Sequence, residues 1–180
     1  MTSQSHFINV IFTILFLSVN FFSPSRGSAS KALIAKVCGD DAILDHDFCL
    51  KALSNAQANA AKSVNQLVDV AMKEAVAKAH TTLKVIVEMM KKPSSPATLE
   101  ALKTCQNVYK NSIRSFGMIS DELSEDAMSA NYDVSLIGPD AETCIKALAA
   151  ASVNAPEIAN GNHDLQYFSS LGHGMTAKMN

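Results

Sequence analysis

The sequence predicts an all-α fold, an up-down-up-down four-helix bundle preceded by a helical hairpin and carrying two disulfides. Three observations predict it. Apolar residues recur near every 3.6 positions through most of the chain, and nothing alternates with period two over a useful length. The composition favours helix over sheet, because Trp is absent, Ala is abundant and only 7 of 180 residues are Gly. The chain holds four cysteines, Cys38, Cys49, Cys105 and Cys144, an even count that suits cross-linking in an oxidising compartment.

The first residues indicate that compartment. From Phe7 to Phe22 the chain is apolar apart from Asn9, Thr13, Ser18 and Asn20, and Pro24 and the small residues Ser25, Gly27, Ser28, Ala29 and Ser30 follow. The run falls short of the roughly 20 residues of a membrane span. It reads as a secretory signal peptide over 1–27, cleaved between 25 and 31, with a signal anchor as the alternative. The remainder, 28–180, is expected to be one domain that leaves the membrane after cleavage. The formal charge is −2, and moves to −3 once Arg26 is removed with the leader. No basic patch stands out, which argues against nucleic acid as a partner.

Residues 28–53 read as the hairpin. Gly39 in "CGDD" ends its first helix, and Asp40 or Asp41 caps its second. The stretch 54–62 is small and polar, either helix or linker. The bundle, 63–179, opens on the strongest helical signal, where Ser63 and Gln66 form a capping-box pattern. Val64, Val68, Ala71, Ala75, Ala79, Leu83, Ile86 and Met90 then share a face, and Pro93 stops the helix. A second helix aligns Leu99, Leu102, Cys105, Tyr109, Ile113 and Phe116, and Gly117 is expected to end it. A third is expected from about Ser120, with Asp121, Glu122, Glu125 and Asp126 suiting its N-terminal dipole. "GPD" at 138–140 should kink or break it, with Asp140 capping a segment that turns Cys144 inward. "NAPEIANGN" reads as a loop, and the last helix aligns Leu165, Phe168, Leu171, Met175 and Met179.

Catalytic signatures are missing from this pattern. The chain has no phosphate-binding loop, no H-E-x-x-H and no G-x-S-x-G, so no catalytic residue, metal site or cofactor is expected. His46, between Asp45 and Asp47, reads as a solvated turn residue, and His163 and His173 lack a ligand cluster. The acidic run "SDELSED" lacks the spacing and Gly of a calcium loop. The Met pair 89–90 and the Tyr and Phe residues at helical spacing read as core. Four cysteines allow three pairings. The short loop between Cys38 and Cys49 favours a local bridge, although sequence alone does not choose.

"VCGDDAILDHDFCLKAL", "LEALKTCQNVYKNSI" and "DAMSANYDVSLIGPDAETC" together resemble the plant invertase and pectin methylesterase inhibitor family, over most of the chain after the leader. Leu102, Cys105 and Tyr109 carry one marker, Thr143 and Cys144 another, and "DAMSAN" resembles the secreted pollen-type branch named for invertase inhibition. The resemblance implies a four-helix bundle with an N-terminal hairpin and bridges from first to second and third to fourth cysteine. It also implies a non-catalytic protein that blocks a carbohydrate-active enzyme in the apoplast, or in the vacuole as the other address. Typical invertase inhibitors carry a Pro-Lys-Phe motif. Counted back from Cys144, it falls on Ala127, Met128 and Ser129, which with Asp126 become the candidate target-contact region. Pectin methylesterase inhibitors typically carry Ala-Ala-Leu where this chain has Ser135, Leu136 and Ile137. The chain departs from both patterns. The preferred target is pectin methylesterase, with invertase (β-fructofuranosidase) as the alternative. A small-ligand carrier or a structural cell-wall protein is the third reading.

Overall fold

The structure is a computed structural model that describes residues 26–179, and side chains from Ser30 onward. The expected signal peptide lies almost entirely outside the described residues. Among the described residues seven helices run in order: α1 Arg26–Cys38, α2 His46–Ala52, α3 Ala56–Ala60, α4 Val64–Met90, α5 Pro96–Glu125, α6 Ala127–Ala150 and α7 Pro156–Thr176. Among the described residues there is no strand. Helices α4 to α7 pack each against its sequence neighbour, and α7 closes the bundle on α4.

Local chemistry sets most of the boundaries. Ser63 Oγ accepts from the Gln66 amide at 3.4 Å, and Gln66 Oε1 reaches back to the Lys62 amide at 2.6 Å. Ser95 caps α5 ahead of Pro96, whose missing N–H costs nothing in a first turn. The cap of α2 is Asp45 rather than the expected Asp40 or Asp41, its Oδ1 accepting from the Phe48 amide at 2.8 Å. Asp40 instead holds the Ala42 amide and pairs with Lys178, which fastens the 39–45 loop to the end of α7. Leu44 N–H adds a second tie, donating to Ser170 Oγ at 2.8 Å.

Three expected breaks are not there. Helix α5 runs through Gly117, because buried Phe116, Ile119 and Leu123 keep it packed beyond that point. It ends at Glu125, so Asp121, Glu122 and Glu125 sit at the unfavourable C-terminal end of a helix rather than at the start of the next. Helix α6 starts at Ala127 and continues through Pro139, and Asp140 caps nothing. Ser169 Oγ from α7 accepts from Gly138 N–H at 3.0 Å and donates to Val134 O at 2.7 Å. A hydroxyl from a neighbouring helix thus stands between the donor and acceptor of one rung in the α6 ladder. "PEIANGN" is the first part of α7 rather than a loop, since Ile158, Gly161 and Asn162 are buried against the bundle.

The disulfides join Cys38 to Cys49 and Cys105 to Cys144. The first ties α1 to α2, and the second ties α5 to α6 through the core. Beside the second lies a small buried polar group. Tyr109 Oη donates to Asn162 Oδ1 at 3.1 Å, and Asn162 Nδ2 faces Cys144 Sγ at 3.4 Å. Burial raises the Tyr109 phenol above its ordinary range, so it acts as a neutral donor. Gly161 fits flush against this group: a Cβ there would overlap Thr82 Oγ1 and stand 2.5 Å from Tyr109 Oη. The hairpin arm is not free of the bundle. Ile34, Val37, Ile43 and Leu53 belong to the same core cluster as the long helices. Ser30 Oγ donates to Asn59 O at 2.6 Å, and Phe48 meets Phe168 edge to face at 4.9 Å.

Candidate target-binding surface

The region 126–129 is the corner where α5 passes into α6. Asp126 caps α6, Oδ1 accepting from the Met128 amide at 2.9 Å and Oδ2 from the Ser129 hydroxyl at 2.8 Å. The Ser129 hydroxyl and then the Met128 and Ser129 amides lower the Asp126 carboxyl below the usual Asp range. Asp126 and Ser129 are therefore spent on each other in a cap, and Ala127 is half-buried. Of the four, Met128 is the side chain left projecting, 69% exposed.

Met128 begins a stripe. Tyr132 is 62% exposed and Leu136 42% exposed, and the four-residue spacing puts all three on one face of α6. The opposite face, Ala130, Val134, Ile137 and Ala141, is buried in the core. Sequence reasoning placed Tyr132 with the core aromatics and missed the stripe. The signal was there, because α6 carries two apolar stripes where one helix face suffices for packing. Next to the stripe, Leu44, Ser135, Gly138, Ser169, Ser170 and His173 surround an open groove of about 390 Å³ with Gln166. Leu44 is 66% exposed on its rim. Helix α7 is fixed there by Asn131, whose Nδ2 donates to His173 O at 2.9 Å and Thr176 Oγ1 at 2.8 Å.

The corner is also acidic. Glu122 Oε2 is buried without a hydrogen-bond partner, and burial, followed by repulsion from Asp133 and Glu125, raises its carboxyl above the usual Glu range. A second cavity, about 340 Å³, opens between α2, α4 and α7 over Phe48 and Phe168. Lys51, Lys78, Glu74 and Asp164 stand around it, and burial raises the Asp164 carboxyl. Among the described residues, no three His, Cys, Asp or Glu side chains gather as metal ligands, and no helix is long and apolar enough to cross a membrane. His46 and His163 are exposed and lie on different helices.

The fold and this surface define a disulfide-braced helical bundle that presents an apolar stripe on one corner. The chain belongs to the plant invertase/pectin methylesterase inhibitor family, whose model matches residues 32–173. Members of that family are enzyme inhibitors. Solved structures share the fold, two of them from Arabidopsis. A mutant form of a pectin methylesterase inhibitor from Arabidopsis is 22% identical, with a TM-score of 0.69, over 80% of this chain and 95% of that one. A pectin methylesterase inhibitor from Arabidopsis thaliana is 20% identical, with a TM-score of 0.62, over 83% and 97%. No curated protein matches.

Proposed function

We propose that the protein is a secreted, non-catalytic inhibitor of a plant pectin methylesterase, acting by a stoichiometric, reversible complex that covers the enzyme's cleft. The family supplies the inhibitor role, and the exposed Met128–Tyr132–Leu136 stripe is the observation that carries a binding mode. Aromatic and Met side chains are enriched at protein interfaces, and a stable complex of this kind buries about 1,200–2,000 Å² in total. Two further points favour this target. Positions 127–129 hold Ala-Met-Ser in place of a Pro-Lys-Phe anchor, and two structural neighbours are pectin methylesterase inhibitors. The chain is delivered to the apoplast by a signal peptide cut between 25 and 31. A cut before Ser30 leaves its bond to Asn59 intact.

The test is an inhibition assay of the mature, disulfide-bonded protein against purified plant pectin methylesterases and acid invertases at mildly acidic pH. Pectin methylesterase activity should fall to zero at a molar ratio near one. Inhibition of invertase alone would transfer the assignment to invertase. Inhibition of neither, with uptake of a small ligand between α2, α4 and α7, would make the protein a carrier.

A further inference from the structure

We propose that the α6 stripe of Met128, Tyr132 and Leu136 docks onto a surface of the target enzyme whose rim is basic, with Tyr132 as the central anchor. This rests on the inhibitor reading above and adds the chemistry of the partner.

The charges around the stripe single out that partner. Between Arg114 and Lys146 the sequence contains no Lys or Arg, yet it contains Asp121, Glu122, Glu125, Asp126, Asp133, Asp140 and Glu142. Elsewhere several helix acids are paired with a cation one turn away: Asp69 with Lys73, Glu88 with Lys91, Glu100 with Lys103 and Glu142 with Lys146. Among the described residues, none of the five acids from Asp121 to Asp133 has a Lys or Arg within ion-pair distance. Three of them add to the negative end of the α5 dipole, an arrangement that costs free energy in the isolated protein. The raised Glu122 carboxyl reports the same crowding.

The same charges exclude other occupants. A second copy meeting this face about a two-fold axis would set acid against acid. An anionic membrane surface would repel it. No three of these side chains gather to hold a cation. A basic rim around an apolar recess satisfies both features, the carboxylates steering the encounter and the stripe supplying the desolvated centre.

The experiment measures binding kinetics of the mature protein on the pectin methylesterase it inhibits, with salt raised from about 20 to about 200 mM. Over that range the Debye length shrinks from about 20 to about 7 Å. The association rate should fall about tenfold or more. The double variant Asp121→Lys/Glu125→Lys should associate slowly at low salt and lose most of that dependence. Tyr132→Ala should raise the dissociation constant about tenfold or more, mostly through faster dissociation. All three side chains are exposed, so Tyr132→Ala should leave the melting temperature unchanged, and the Lys pair, which relieves the end of α5, should keep or raise it. Wild-type inhibition that is insensitive to salt and to both variants would overturn the docking surface while leaving the inhibitor reading standing. A dimer abolished by Tyr132→Ala would overturn it in favour of self-association. Wild-type protein that inhibits no pectin methylesterase would overturn both readings.

Discussion

Two glycines in long helices should respond to the same substitution with opposite signs. Gly117 is exposed and a Cβ there would meet nothing within 4 Å. Gly117→Ala should therefore return the ordinary helix-interior difference, about 1 kcal/mol of stabilisation. Gly161→Ala gains that same amount, but its Cβ drives into Thr82 Oγ1, lies 2.6 Å from Thr82 Cγ2 and 2.5 Å from Tyr109 Oη. Overpacking a core costs about 1–3 kcal/mol. Displacing Tyr109 from Asn162 leaves a buried polar group unpartnered for about another 1–3 kcal/mol. The net is a loss of about 3 kcal/mol. For a domain of this size, about 1 kcal/mol shifts the melting temperature by about 2–4 °C. Thermal unfolding of the disulfide-intact proteins by circular dichroism should thus show Gly117→Ala about 2–4 °C above wild type and Gly161→Ala about 6–12 °C below it. In a Thr82→Ala background two of the three close atoms disappear, and the Gly161→Ala loss should shrink by more than about 1 kcal/mol. A Gly161→Ala protein as stable as wild type while Thr82 is present, or a loss of the same size in both backgrounds, would refute the close seating of α7 on α4 and α5.

Three other outcomes follow from the same geometry. In the chain-entropy model, opening the 39-residue separation of Cys105–Cys144 costs about 4 kcal/mol and the 11-residue separation of Cys38–Cys49 about 3. Cys105→Ser should therefore lower the urea midpoint more than Cys49→Ser, and the reverse order would contradict the model. Because the Glu122 carboxyl is raised in the folded chain, its stabilising contribution is full below the ordinary Glu value and is lost as pH rises toward the raised one. Glu122→Gln should flatten the fall in stability from about pH 4.5 upward, and parallel curves for the two proteins would count against the burial and crowding of Glu122. Asp40 and Asp126 act in the opposite sense, since their lowered values remove stability as pH falls below the ordinary Asp value. Ser169→Ala should cost about 1–3 kcal/mol, the penalty for stranding Gly138 N–H and Val134 O. No change in urea midpoint would mean that the α6 rung closes on itself.

What was legible in the sequence was what long-range packing and local chemistry agreed on. The Ser63 cap and the face carrying Val68, Ala71, Ala75, Ala79 and Ile86 are both as the periodicity implies. The misreadings share one cause. Gly117, "GPD" and "NAPEIANGN" are strong local stop signals, and each is overridden by a partner that a linear reading does not see. Phe116 and Ile119 hold α5 together, the Ser169 hydroxyl bridges α6, and the Thr82–Tyr109 seat receives Gly161. Missing the α5 extension also misassigned the acidic run to the wrong helix end. The surface was harder still. Met128 lay inside the candidate region, but Tyr132 and Leu136 have the same spacing as a core stripe, and only the packed helix shows which of its two apolar faces is covered.

The Ser169 hydroxyl in the α6 ladder has a mechanical consequence. An uninterrupted helix carries a push along its axis through its own rungs. At 134–138 one rung is relayed by a different helix, and Pro139 supplies no rung of its own. The half bearing Met128, Tyr132 and Leu136 is thereby mounted on α7, whereas the half bearing Cys144 is riveted to α5. When a partner seats on the stripe, Ser169 gives α6 a direct tie to α7 at this point, beside its own backbone ladder. A change at position 169 would re-aim the stripe without touching it.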